Sequence, residues 1–452
     1  MLLDRPTDIR SPRSSPSNRR RSTVGLYPVQ SPSQTPMNRG EYRQLHRERP
    51  SPATRPVKRR SPKLPYPLKV AVMSILVATT GILSVEANRW QTSIQHRFAP
   101  AWLNAATPKN PLPEASPSPA QNASGEVIYN ISSPPTLKPN PELQAIVDQV
   151  VQTVANEGLP TGSLSISVID LKTNSTAGYQ AQTFRYPASV AKLYWMVTFF
   201  AQIAQGENQE ALLAAEDDLY RMMEDSDNTA ASRIIDFVTK TRSGKAFPTD
   251  ADYAEWARKR EWLNRFFQDA GYTGLTLSQK NFPFDEYSEP QGRDRQLLKR
   301  SRNKATTEQT ARLLYEIVNR QAISSLYSDE MLELLAKDLR PEVWKPKPNN
   351  PIQGFLGEGL PSTVDFGSKV GMTSQSRQDA AYVKTRDGEH AYILVVFGNH
   401  PSYANNWTIF PKISRLFFER VTGRTGAPPP THESPPPNPA PPIASPPAGQ
   451  EP

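Results

Sequence analysis

FRYPASVAKLYWMVTFF, residues 184–200, reads as an irregular approach broken by Pro187, followed by an apolar run in which Lys192 is the one charge. Ser189 therefore sits at a helix start. Lys192 follows one turn later, so both side chains share one face. Working outward, helical patterns are expected over 189–205, 209–240, 252–270 and 307–337. The flanks read differently. SLSISVID, residues 163–170, alternates Leu164, Ile166 and Val168, and GSKVG, DAAYVKT and AYILVVFG (367–371, 379–385 and 391–398) read as three adjacent strands. A helix signal opens the domain, with Asn140 as cap, Pro141 at the first helical position and Leu143, Ile146, Val147, Val150 and Val154 at helical spacing. A closing helix is expected over about 406–420. Strands at both ends with helices between them make an α+β domain whose antiparallel sheet is built from the two chain ends.

Beyond that domain the composition changes. The 452 residues include 46 Pro, concentrated at the ends and in one internal stretch. Residues 1–63 hold fifteen Lys and Arg against four acids, so the net charge of +9 belongs to this tail and the rest is near neutral. A tail so poor in apolar residues cannot offset its ordering entropy and is expected to be disordered. Residues 64–87 follow, uncharged from Val70 to Val85, with Arg59, Arg60, Lys63 and Lys69 on the preceding side. This reads as an uncleaved single-pass signal-anchor, N-terminus cytoplasmic and domain on the outer side. Residues 88–140 are expected as a Pro-rich spacer, 141–425 as the folded domain and 426–452 as a second Pro-rich tail.

Several function classes drop out early. With no Cys, thiol nucleophiles, disulfides and Cys-based zinc sites are excluded. The five His lie in tails or late segments, and no Gly-x-Ser-x-Gly occurs, which argues against a Ser-His-Asp hydrolase. No metal-ligand cluster is evident, and the near-neutral domain offers no nucleic-acid surface.

Three motifs remain, in chain order: Ser189-Val190-Ala191-Lys192, Ser226-Asp227-Asn228 and Lys369-Val370-Gly371. Ser-x-x-Lys arises by chance about twice in a chain of this length, and a second copy stands at Ser301–Lys304 in a basic loop. Ser-Asp-Asn is far rarer, fewer than about one chain in ten. A serine hydroxyl is a weak nucleophile until a base takes its proton, and a lysine serves when desolvation and a second cation lower its pKa. Ser189 and Lys192 fit those roles, and Lys369 fits the second cation.

This order of motifs resembles the class A β-lactamase and penicillin-interactive peptidase superfamily, with FRYPASVAK and MEDSDNTAA the most similar segments. The resemblance covers most of residues 141–422. It implies a Ser189 acyl-enzyme, Ser226 as proton relay, Asn228 on the substrate amide, Gly371 and Met372 as substrate-binding residues with the amides of Ser189 and Met372 as the oxyanion hole, and no cofactor. The substrate it implies is a β-lactam or an acyl-D-Ala-D-Ala-like peptide. Departures accompany it. The interval from Ser189 to Ser226 is short, and Val370 stands where Thr or Ser is usual. Glu289, in EYSEPQGRD, is the candidate for the carboxylate that positions a deacylating water, although Arg293 stands where Asn is expected. Arg377 is a candidate for a substrate carboxylate. The resulting expectation is a membrane-anchored β-lactamase-type hydrolase. A D,D-peptidase and a catalytically lapsed cell-wall binding protein are the alternatives.

Overall fold

The computed structural model describes residues 121, 125–205, 209–285, 287–348 and 350–428. The tail, the anchor segment 64–87 and most of the Pro-rich stretches expected above lie outside these residues. Among the described residues no helix is long and apolar enough to cross a membrane.

The chain enters through β1 (Lys138–Pro139) and α1 (Pro141–Asn156). Asn140 caps α1 as expected, its Oδ1 accepting from the amides of Glu142 and Leu143. β2 (Leu164–Asp170) and β3 (Ser175–Tyr179) follow as a hairpin. The helical layer then holds α2 (Ala191–Ala204), α3 (Gln209–Met223), α4 (Asn228–Thr239), α5 (Asp250–Arg260), α6 (Trp262–Gln268), α7 (Gly292–Arg300), α8 (Thr307–Val318), α9 (Ser325–Leu335) and α10 (Pro341–Trp344). The chain returns through β4 (Val364–Thr373), β5 (Ser376–Thr385) and β6 (Ala391–Gly398), then closes with α11 (Pro401–Asn405) and α12 (Ile409–Thr422). Sheet order is β1-β3-β2-β6-β5-β4. All pairs are antiparallel except β1 with β3. The α+β architecture with a sheet made from both chain ends is thus the one expected.

Helices cover both sheet faces, and the strand alternation decides which core each side chain joins. Leu164, Ile166 and Val168 face α1 and α12, packing with Val147, Val150, Val154, Phe410 and Phe417. Ser165 and Ser167 face the other way, Ser167 donating to Thr307 Oγ1 at 2.8 Å. Each apolar side chain so buried contributes about 1.5–3 kcal/mol. α2 is the centre of the second core and is buried on every side, which is why its sequence is apolar almost throughout.

Several boundaries differ from expectation. The pattern over 209–240 breaks at residues 224–227, that over 252–270 at Glu261, and that over 307–337 at 319–324. α7 falls in a stretch expected to be loop. α12 starts at Ile409 because Asn406 Oδ1 accepts from the amides of Thr408 and Ile409. The spacer expected over 88–140 also ends early. Val127 and Tyr129 are buried, Trp262 Nε1 donates to the Val127 carbonyl at 3.1 Å, and Tyr129 donates to Glu316 Oε2 at 2.8 Å. Residues 126–140 therefore belong to the folded domain.

Candidate active site

Ser189 is delivered by a tight turn. Arg185 pairs with Ala305 as an isolated bridge, Pro187 follows, and Ala188 adopts φ +48° before a short 3-10 turn runs into α2. A non-glycine residue in that region stores strain of order 1–3 kcal/mol, which the surroundings must hold. They do: Gln378 Nε2 donates to the Tyr186 carbonyl at 2.8 Å, and Asn281 Nδ2 to the Ala188 carbonyl at 3.4 Å. Ser226 has φ +55° in the break between α3 and α4. Asp227 caps α4 through the amides of Thr229 and Ala230 and pairs with Arg221. Burial pushes the Asp227 carboxyl up, but those amides and that guanidinium outweigh it and hold it low. Asn228, the first residue of α4, is thereby aimed at α2.

The side chains converge on Lys192. Its Nζ lies 3.1 Å from Ser189 Oγ and 3.2 Å from Ser226 Oγ, and it donates to the Ser226 carbonyl at 2.5 Å and to Asn228 Oδ1 at 2.7 Å. Lys369 Nζ donates to Ser226 Oγ at 2.8 Å and to the Val370 carbonyl at 3.1 Å. The Ser226 hydroxyl thus stands between two lysines. Both are buried. Burial, with Lys369 nearby, holds the Lys192 ammonium well below the usual lysine range, only partly opposed by Asp227. Burial pushes Lys369 down to about 7, Lys337 adds to that, and Asp379 and Glu224 oppose it.

β4 forms the third wall. A Cβ on Gly371 would stand 2.9 Å from the Ser189 amide nitrogen and 3.0 Å from the Pro187 carbonyl oxygen, so only glycine lets strand and turn approach this closely. β4 is the sheet edge, and the Phe366 carbonyl accepts from the Lys337 amide outside it. With a two-residue period, the Met372 amide points to that same open side. Beside the Ser189 amide it can receive a developing oxyanion.

Two predicted residues do not join this group. Arg377 faces Met372 across the β4–β5 ladder, on the sheet face opposite Lys369. It is fully buried and donates to the carbonyls of Gly354, Tyr403 and Ala404 at 2.9, 3.1 and 2.8 Å, with Phe355 and Trp407 on its guanidinium plane. Arg377 is a structural residue and no substrate ligand. Glu289 is exposed, and its carboxylate faces Arg295 at 3.8 Å. No hydrogen bond joins it to Ser189, Lys192, Ser226 or Lys369. The loop that reaches the nucleophile's turn is instead 279–285, through Asn281. Neither Asn281 nor Gln378 carries a motif, and their roles follow from register and loop path that the chain order does not display.

A model described as the Beta-lactamase enzyme family matches residues 145–218 and 207–421. A search of curated proteins returned no match. Among solved structures, a β-lactamase from Sphaerobacter thermophilus is similar at 18% identity, covering 62% of this chain and 97% of its own, with TM-score 0.44. PBP-A is similar at 18% identity, with 64% and 100% covered and TM-score 0.46. An ancestral class A β-lactamase is similar at 15% identity, with 61% and 99% covered and TM-score 0.42.

Proposed function

The chain belongs to the β-lactamase enzyme family, and from that premise we propose that it is a slow-deacylating serine acyl-enzyme of the D,D-peptidase kind. Its substrates are acyl-D-Ala-D-Ala-like peptides, with β-lactams as acylating agents that leave slowly. In acylation, Lys192 in its neutral form takes the Ser189 hydroxyl proton while Oγ bonds the substrate carbonyl carbon. The amides of Ser189 and Met372 carry the oxyanion. As the carbon–nitrogen bond breaks, Ser226 passes a proton to the leaving nitrogen and recovers one from Lys192. Lys369 keeps the Ser226 hydroxyl in line and, while charged, favours the neutral form of Lys192. Asn228 orients Lys192 and presents its amide to the substrate.

The observation that carries the slow second step is what faces Ser189. Among the described residues no carboxylate is hydrogen-bonded to the Ser189–Lys192–Ser226 group, and the loop residue against the turn is Asn281. An amide can hold a water but cannot take its proton. A fast β-lactamase needs that base.

We also propose that residues 64–87 anchor the chain in a membrane with the domain outside, which suits a wall-peptide substrate. The test of activity is release of D-Ala from an N-acyl-D-Ala-D-Ala peptide by the full chain, with penicillin hydrolysis followed in parallel. Peptide turnover that Ser189→Ala abolishes, beside sluggish penicillin hydrolysis, supports the proposal. Rapid penicillin hydrolysis without peptide turnover restores the β-lactamase reading, and no reaction with either favours a lapsed binding protein.

A further inference from the structure

Lys337 joins three segments that the proposed acylation depends on. It follows the end of α9, where Ala336 bridges Gly367 and the Lys337 amide donates to the Phe366 carbonyl at 2.9 Å, adding one rung to the open edge of β4. Its side chain, 4% exposed, then donates to Glu224 Oε2 at 2.6 Å and to the Leu334 carbonyl at 3.3 Å. Glu224 lies two residues before Ser226, at the start of the turn that the Arg221 carbonyl closes by accepting from Asp225 and Asp227. One part-buried ion pair therefore clamps the Ser226 turn to the strand that bears Lys369. Lys347 approaches the other oxygen of Glu224 at 3.8 Å, from an exposed position.

We propose that Lys337 and Glu224 are a positioning pair for acylation, holding the Ser226 hydroxyl between Lys192 and Lys369. The inference rests on the acyl-enzyme reading above. Besides this clamp, the two members act on Lys369 in opposite senses. The charged groups that bear on Lys369 are Lys337 from the end of α9, Glu224 from the Ser226 turn and, from the opposite face of the sheet, Asp379 of β5, while Lys192 of α2 shares the Ser226 hydroxyl with it. Lys337 disfavours the charged form of Lys369, whereas Glu224 favours it. Removing one or the other must displace the titration in opposite directions.

The test is the pH dependence of acylation of the full chain by a fluorescent penicillin, with thermal melts to establish folding. In Lys337→Met the rate falls about tenfold, and the alkaline limb, where Lys369 loses its proton, moves up by roughly one pH unit. In Glu224→Gln that limb moves down. Lys337→Arg keeps the charge and restores both rate and limb. The inference is overturned if both charge-removing variants lose rate without moving the limb, or move it the same way. Glu224→Gln is nearly isosteric, and where Lys337→Met does not fold, a Glu224→Gln limb that stays in place or moves up overturns the inference. A wild-type chain that takes no label under any condition overturns the acyl-enzyme reading itself, and this inference with it.

Discussion

Lys369 shows how much stability a single site residue can cost. A buried ammonium whose folded pKa is pushed down to about 7, below its ordinary value of 10.5, disfavours folding wherever it must carry a proton. The cost is fully present below pH 7 and disappears as pH rises from 7 towards the unfolded value. Lys369→Met is therefore expected to raise the melting temperature at pH 6, to give a shrinking gain as pH approaches 10, and to abolish acylation. Melts across pH beside a labelling assay check both halves. Lys192→Met should lose acylation by about 10²–10⁴-fold, the usual worth of a general base, with the fold intact. Legibility at this scale followed chemistry. Ser189, Lys192, Ser226, Asn228 and Lys369 carried motifs and came together as expected. Arg377 did not, because paired residues share a sheet face, and its pairing with Met372 rather than Gly371 turns it away from Lys369. That parity depends on the two-residue turn between Thr373 and Ser376, whose length composition does not dictate.

At the scale of elements, the approach of β4 to the nucleophile's turn is the tightest demand. Gly371→Ala inserts a methyl 2.9 Å from the Ser189 amide and 3.1 Å from Ala188 Cβ. Strand and turn must separate, costing about 1–3 kcal/mol of stability and, through a misplaced nucleophile, on the order of 10²-fold in acylation. Calorimetry and labelling kinetics measure the two effects separately, and an unimpaired variant would contradict the close packing. The type of each long element was legible because its periodicity was strong, as in α1 and β2. The breaks were not. Glu261 separates α5 from α6 without Pro or Gly, and α7 forms in a charged stretch where only Asp294 and Leu297 are buried. Tertiary packing decides such places, and local propensity does not reveal it.

Across the whole molecule the chain ends do more than frame the sheet. The segment before β1 crosses the helical layer, with Tyr129 sharing the buried Glu316 carboxylate with Tyr272 and Arg312 at 2.8, 2.5 and 2.7 Å. A chain beginning at residue 141 loses this strap and the buried Val127 and Tyr129. It should be less stable than one beginning at 125 by several times the ~1.5–3 kcal/mol of one buried apolar side chain. Denaturant titration of the two compares them, and equal midpoints would contradict the strap's role. The alternation of Val127, Tyr129 and Ile131 was a visible signal for this segment, obscured by the Pro-rich composition on either side. The overall architecture was legible for a broader reason: strand patterns at both ends around a helical middle admit few compact arrangements.

At the centre stands the proposed Ser189 acyl-enzyme, which no carboxylate among the described residues is placed to help break down. Its most direct test is intact-mass measurement of the full chain over time after mixing with penicillin G, followed by mapping of the modified peptide. The expected result is one added acyl group per chain, on the peptide containing Ser189, lasting long after free penicillin is removed and absent from Ser189→Ala. An adduct on another residue, or one that vanishes as penicilloate accumulates with rapid turnover, would contradict it.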